Sequence, residues 1–131
     1  MKNIFDFWNR QKKRIDAKNQ YLFFRERDVF WMQMGKNIGF EQDGKGAELT
    51  RPVLIFKKFS AKIFLGIPLS KIEKSGKWFF HFTIPGQSFP QRALIFQMRT
   101  FDGKRLRKKI GKISKDDFSR LKKEITRLLS E

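Results

Sequence analysis

The stretch "RPVLIFKKFSAKIFLGIPLS", residues 51–70, decides the fold class. It contains two runs of branched and aromatic apolar residues, separated by a short polar break around Ser60. Residues of this kind favour β-strands, and two runs with a short connection favour an antiparallel pair. Arg51 opens the first run and Ser70 closes the second, so pairing of the two runs would bring both residues to one rim of the sheet.

Similar strand-like runs lie on both sides of this stretch. They are "DVFWMQM" from residue 28, "KWFFHFTI" from residue 77 and "RALIFQMRTF" from residue 92. In the second of these, alternation places Trp78, Phe80 and Phe82 on one face. Turn signals such as "PGQSFP" separate the runs. Several short strands bounded by turns predict a small barrel or sandwich.

Helices are predicted at both ends of the chain. Residues 3–19 place a few apolar side chains among many charges, which indicates a short amphipathic helix. Near the other end, Ser114 is a candidate N-cap, with Asp117 completing a capping box and Ile113 and Phe118 forming a hydrophobic staple. An apolar stripe with helical spacing follows and predicts a helix docked on the barrel. The stripe consists of Phe118, Leu121, Ile125, Leu128 and Leu129.

The predicted fold class is therefore mainly β with helices (α+β). We expect a small β-barrel with a C-terminal helix and an N-terminal helical extension. The predicted division is an extension over residues 1–27 and one domain over residues 28–131. A chain of 131 residues has the length of a single domain.

Charge is the most unusual property of the composition. The net charge is +17 and the isoelectric point about 10.6. Such a chain favours polyanions, because each phosphate that it neutralises releases condensed counterions. Nucleic acid is the first candidate partner, followed by an anionic membrane surface or an acidic protein segment.

Several functional classes are excluded by composition. The chain has no cysteine and one histidine, His81, so disulfides, thiolate chemistry and histidine-rich metal sites are excluded. The N-terminus lacks the apolar core of a signal peptide, and no run approaches the roughly 18 apolar residues of a membrane span. We therefore expect a cytoplasmic protein with no cofactor, no metal and no membrane association.

Arg51 and Ser70 are the best candidates for chemistry. An arginine offers a permanent charge and a fork of donors that matches a phosphate, and a hydroxyl can donate to a phosphoryl oxygen or relay a proton. The preceding "GFEQDGKGAELT", residues 39–50, holds three glycines that suit a turn or the close approach of a ligand. A solvated strand start and a turn serine are the alternative interpretation, and residue types alone leave both open.

The order of the segments resembles the MazF/PemK family of toxin endoribonucleases. The matching pieces are "VFWMQMG", "GFEQ", "RPVLI", "GIPLS" and "ALIFQMRTFDGKRLRKKIGKIS", followed by a helix, over roughly residues 28–130. The resemblance implies a small β-barrel that forms a homodimer and cleaves single-stranded RNA at short motifs without a metal. It also implies that the protein is the toxin of a toxin–antitoxin pair and has a cognate acidic antitoxin. Together with that antitoxin, the toxin would bind DNA.

The resemblance also assigns roles to particular residues. It implies that Arg51 and Ser70 are catalytic, with Glu41 as a candidate base, and that the glycine loop closes over the scissile phosphate. Expected RNA-binding residues are Gln42, Gln97 and Arg99, together with Lys104, Arg105 and Lys108 of a basic stretch.

Two positions depart from the family pattern. Phe40 stands where many relatives have histidine, and Phe96 stands where many have aspartate. Because these losses weaken any mechanism with an imidazole or carboxylate base, a non-catalytic basic nucleic-acid-binding barrel stays open as an alternative. A gyrase-poisoning toxin of similar fold is the other alternative.

Overall fold

The computed structural model describes residues 3–46 and 48–131. Residues 1 and 2 of the predicted extension lie outside this range. The helices are α1 (Ile4–Asp16) and α2 (Lys115–Leu129). The strands are β1 (Asp28–Gln33), β2 (Thr50–Lys58), β3 (Ile63–Ser70), β4 (Phe79–Phe82), β5 (Gln91–Leu94), β6 (Arg99–Asp102) and β7 (Leu106–Lys112).

All seven strands belong to one antiparallel sheet. Its order is β4-β5-β3-β2-β1-β7, and β6 also pairs with β3. The hairpin expected from residues 51–70 is formed by β2 and β3. The predicted α+β class, with a helix before and a helix after the sheet, is confirmed.

One predicted strand is wrong in detail. The run "RALIFQMRTF" is interrupted by a 3₁₀ turn, Ile95–Gln97, and forms β5 and β6 instead of one strand. The interruption follows from pairing, because the two pieces bind different halves of β3. The first half of β3, Ile63–Gly66, pairs with β6, and its end, Leu69 and Ser70, pairs with β5.

Apolar side chains cover both faces of the central strands. On one face, Val29, Leu54 and Ile67 pack in a core with α2. On the other face, a second core joins the central strands to β6 and to the segment before β1; it consists of Phe24, Phe30, Met32, Met34, Val53, Ile55, Phe64, Phe101 and Leu106. With both faces covered, polar chemistry at β2 and β3 is confined to the strand ends.

The predicted N-cap of α2 is confirmed, but among the described residues only half of the predicted capping box forms. The Ser114 hydroxyl accepts a hydrogen bond from the Asp117 amide at 3.1 Å, while the Asp117 carboxylate pairs with Arg120. Leu129 was wrongly placed in the apolar stripe, since it is 68% exposed. At 100° per residue it lies about 60° from the mean direction of the four buried stripe residues, and it ends the helix.

Helix α1 packs against the domain by one face. Asn3 caps it by accepting a hydrogen bond from the Phe5 amide at 2.8 Å. Trp8 and Ile15 are buried and form a small core with Leu49, the residue just before β2. Among the described residues, no helix has the length and apolar character needed to cross a membrane.

Candidate active site

The β2–β3 pairing brings Arg51 and Ser70 to the same rim. Val53 pairs with Pro68, and two further steps along each strand place Arg51 opposite Ser70. Both residues line a cavity of about 430 Å³. The remaining lining residues are Trp31, Lys45, Gly46, Thr50, Pro52, Leu69, Lys71, Ile72 and Gln91. The sequence-based expectation that these two side chains meet at one edge agrees with this geometry.

The Arg51 side chain is held rigidly by main-chain oxygens. It is 5% exposed; Nε donates to the Asp43 carbonyl at 2.8 Å, and Nη1 donates to the Leu69 carbonyl at 3.0 Å. Within the described residues, Nη2 donates to no protein acceptor. Burial lowers the pKa of Arg51, and the Asp43 charge opposes this shift. An arginine so placed stays protonated and keeps donor capacity for an anion.

Ser70 is buried, and in the part of the chain that the structure describes its hydroxyl proton has no acceptor. Its Oγ accepts a hydrogen bond from the Ile72 amide at 3.2 Å, so the O–H is left to donate. Ser70 pairs with Arg92 between β3 and β5. The Arg92 Nη1 donates to the Lys71 carbonyl at 3.2 Å. The rim of the cavity beside Ser70 is therefore fixed by main-chain contacts on both sides.

Glu41 lies at a different cavity. A second cavity of about 540 Å³ is lined by Glu41, Gln42, Gln97 and Arg99 among others, and Arg51 and Ser70 are not among its lining residues. The Glu41 carboxylate accepts a hydrogen bond from the Ile38 amide at 3.0 Å, within its own loop. Arg51 and Ser70 thus line one cavity, whereas Glu41, Gln42, Gln97 and Arg99 line another.

Gln97 connects the loop to the 3₁₀ turn after β5. Its Nε2 donates to the Phe40 carbonyl at 2.9 Å, and its Oε1 accepts from the Gln42 amide at 3.2 Å. The Gln42 side chain donates in turn to the Asp43 carbonyl at 3.2 Å. The Asp43 oxygen therefore borders both groups, because it also receives Arg51 Nε.

The three basic candidates near β7 have different surroundings. Lys104 donates to the Asp16 carbonyl at the end of α1, at 2.9 Å. Arg105 donates to the Gln33 and Met34 carbonyls at 3.3 and 3.2 Å, and burial is the main cause that lowers its pKa. Lys108 is exposed on β7. Lys104 and Arg105 hold segments of the protein together, whereas Lys108 is open to a partner.

Some residues at the site were not identified from the sequence. Asp43 acts through its carbonyl, which any residue type provides, so no side-chain pattern could reveal it. Trp31 lines the Arg51 cavity and is 40% exposed, although every other residue of β1 is buried, so strand alternation does not reveal it. Gln91 is buried at the same cavity, and its Oε1 has no partner among the described residues.

His81 is on the surface. It is exposed on β4, and its Nε2 lies 2.9 Å from the Lys74 carbonyl. It lines neither of the two cavities described above.

The family comparison covers nearly all of this architecture. A family model described as "PemK-like, MazF-like toxin of type II toxin-antitoxin system" matches residues 25–129. No curated protein matches the chain. The matched region contains the whole sheet, α2 and both cavities, and it leaves α1 outside. The chain therefore belongs to the family of PemK-like, MazF-like toxins of type II toxin–antitoxin systems.

Proposed function

We propose that this toxin is a metal-independent endoribonuclease that cuts single-stranded RNA at short sequence motifs. The observation that carries the proposal is the Arg51 guanidinium, fixed by two carbonyls at a cavity that it shares with Ser70. A buried, pre-oriented cation beside a free hydroxyl donor is suited to stabilise the charge that develops on a phosphate during cleavage.

The reaction is an internal phosphoryl transfer. The ribose 2′-oxygen attacks the adjacent phosphorus, the bond from phosphorus to the 5′-oxygen breaks, and the products are a cyclic phosphate and a 5′-hydroxyl end. Arg51 stabilises the phosphorane and donates a hydrogen bond to the leaving 5′-oxygen, which takes a proton from solvent after the bond breaks. The Ser70 hydroxyl binds a phosphoryl oxygen. The need for a 2′-hydroxyl explains the choice of RNA over DNA.

The attacking hydroxyl loses its proton to solvent in this scheme. The described residues that line the Arg51 cavity include no carboxylate and no imidazole. Glu41 lines the neighbouring cavity, and its carboxylate is engaged with the Ile38 amide. We therefore assign Glu41 to contacts with the RNA strand beyond the scissile phosphate.

Exposed aromatic side chains supply a means of holding unpaired bases. Trp31 lines the Arg51 cavity, Phe96 lines the second cavity, and Phe40 lies on the loop beside them. They are 40%, 53% and 101% exposed, respectively. Stacking of a base on such a ring contributes about 1–3 kcal/mol and requires a single strand. The net charge of +17 adds salt-sensitive attraction to the backbone.

The proposal is tested by incubating the purified protein with a long single-stranded RNA in EDTA. The variants are Arg51→Ala and Ser70→Ala, and Arg14→Ala on the exposed face of α1 is the control for loss of one charge. We expect discrete cuts with 5′-hydroxyl ends from the wild type and the control, and a strong loss of cutting in both site variants. Undiminished cutting by folded Arg51→Ala would contradict it.

The same experiment separates the alternatives. Intact RNA together with tight, salt-sensitive binding would favour a non-catalytic nucleic-acid-binding barrel. Intact RNA without such binding would favour a toxin that acts on a protein such as gyrase. Membership of the toxin family implies an antitoxin partner. We propose that this partner is acidic and folds over the basic surface, and that the toxin is a cytoplasmic homodimer; light scattering after gel filtration tests the dimer.

A further inference from the structure

Helix α1 covers both ends of the loop between β1 and β2. The Trp8 indole lies directly over Gly35, where a Cβ would come within 1.9 Å of its Cε2 atom. Gly35 also has φ +81°, so this position requires glycine on two grounds. Leu49, at the other end of the loop, is buried against Trp8 and Ile15. One helix face therefore contacts the entry and the exit of the loop.

Beneath Trp8 the two ends of the loop are joined by main-chain hydrogen bonds. The Leu49 carbonyl accepts from the Met34 and Gly35 amides, both at 3.0 Å. The Gly44 amide donates to the Gly35 carbonyl at 2.8 Å. A Cβ at Gly44 would lie 1.8 Å from the Leu49 oxygen, so three backbone segments are in close contact here. Trp8 covers this layer on its outer side.

Arg105 holds the same region on another side of the indole. Its guanidinium carbon lies 5.6 Å from the centre of the Trp8 ring and 5.7 Å from that of Phe101. It donates to the carbonyls of Gln33 and Met34, the residues that lead into the loop. Trp8 is therefore fixed between the backbone of the loop and a half-buried cation.

The layer beneath Trp8 continues directly to Arg51. Gly44 follows Asp43, whose carbonyl accepts from Arg51 Nε at 2.8 Å. The Asp43 carboxylate is also tied to the start of the loop, through Lys36 at 2.8 Å and the Asn37 amide at 2.6 Å. Movement of the loop base would displace the oxygen that orients the Arg51 guanidinium.

We propose that α1 is a positioning element for the site and that Trp8 is its key residue. The helix lies outside the region matched by the family model, yet it fixes the loop that holds Arg51. Trp8 and Arg105 act as positioning residues, since they act on Arg51 through the residues at the base of the loop. The catalytic consequence rests on the proposed ribonuclease function, whereas the structural consequence does not.

The structural consequence is tested by hydrogen exchange on the intact chain. The variants are Trp8→Ala and Trp8→Phe, with Ile4→Ala, an exposed apolar residue of the same helix, as control. In Trp8→Ala we expect exchange of residues 36–46 to accelerate at least tenfold, while the amides of β2 and β3 change much less. Trp8→Phe should restore most of the protection. Acceleration of loop and core amides by the same factor, or no acceleration in the loop, would overturn the proposal.

The catalytic consequence is tested by RNA cleavage with the same variants. We expect kcat to fall at least tenfold in Trp8→Ala with KM changed less than threefold, and Trp8→Phe to recover most of the rate. Faster hydrogen exchange of the loop amides with an unchanged kcat would overturn the positioning role. If the wild type cuts no RNA, the proposed function fails, and hydrogen exchange alone decides whether α1 holds the loop.

Discussion

Arg51 Nε donates to the carbonyl oxygen of Asp43 at 2.8 Å, so a loop residue sets the direction of the guanidinium. The second anchor, the Leu69 carbonyl, belongs to β3. The Leu69 anchor belongs to a strand of the buried sheet, whereas the Asp43 anchor belongs to a loop that is held by local contacts. The geometry of the site therefore depends on the base of the loop.

The Ser70 hydroxyl is expected to contribute to cleavage. Ser70→Ala should lower kcat by about 100- to 1,000-fold, since a lost donor to the developing oxyanion has an effect of that order. Ser70→Thr should keep most of the activity because it retains the hydroxyl. Ser60→Ala, in the exposed turn between β2 and β3, is the matched serine control. Equal activity of Ser70→Ala and Ser60→Ala would contradict the assignment.

Glu41 is expected to be dispensable for the chemical step. Because its carboxylate lines the second cavity, Glu41→Gln should leave kcat within about threefold and act mainly on KM. With proton loss to solvent, the cleavage rate should rise with pH between 6 and 8 in the wild type and the variant alike. A loss of kcat above about 100-fold in Glu41→Gln would identify Glu41 as the base and contradict the scheme.

Phe40 is expected to bind a base and to contribute little to folding. Its side chain is 101% exposed, so Phe40→Ala should leave the melting temperature unchanged. The free energy of binding to single-stranded RNA should weaken by about 1–3 kcal/mol, the range found for base stacking on aromatic side chains. Phe59→Ala, with a 55% exposed ring in the turn after β2, is the control. Equal RNA affinity of Phe40→Ala and the wild type would exclude a stacking role.

The α2 helix offers a test of core packing with a matched pair. Leu121 is fully buried in the main core, so Leu121→Ala should lower the free energy of unfolding by about 2–5 kcal/mol. Leu129→Ala, on the same helix and 68% exposed, should change it by less than about 0.5 kcal/mol. Urea denaturation measures both values. Similar losses in the two variants would contradict the packing described here.

Periodicity and turn signals in the sequence predicted the regular strands and helices. The β2–β3 hairpin and α2 follow from apolar runs and from a capping serine, and the hairpin alone is enough to bring Arg51 near Ser70. The break between β5 and β6 could not be predicted in this way, because it depends on which part of β3 each piece pairs with.

The less regular parts of the site depend on contacts that leave no pattern in the sequence. The Asp43 carbonyl, the closely packed glycines at the loop base and the contact of Trp8 with Gly35 join residues through backbone atoms. Arg105 resembled a nucleic-acid contact because it lies in a run of cations, yet its guanidinium meets two carbonyls. Likewise, Glu41 and Arg51 belong to successive segments of the family pattern, "GFEQ" and "RPVLI", but they line different cavities.

Cleavage of a short RNA that spans a mapped cut site is the decisive measurement. It is carried out in EDTA beside the same oligonucleotide with a single 2′-deoxyribose on the 5′ side of the cut, using the wild type and Arg51→Lys. We predict that the wild type leaves a cyclic phosphate and a 5′-hydroxyl and does not cut the deoxy-substituted strand. In Arg51→Lys, which lacks the guanidinium fork, kcat should be at least about 100-fold lower. Cutting of the deoxy-substituted strand, 5′-phosphate products or full activity of Arg51→Lys would contradict the proposed mechanism.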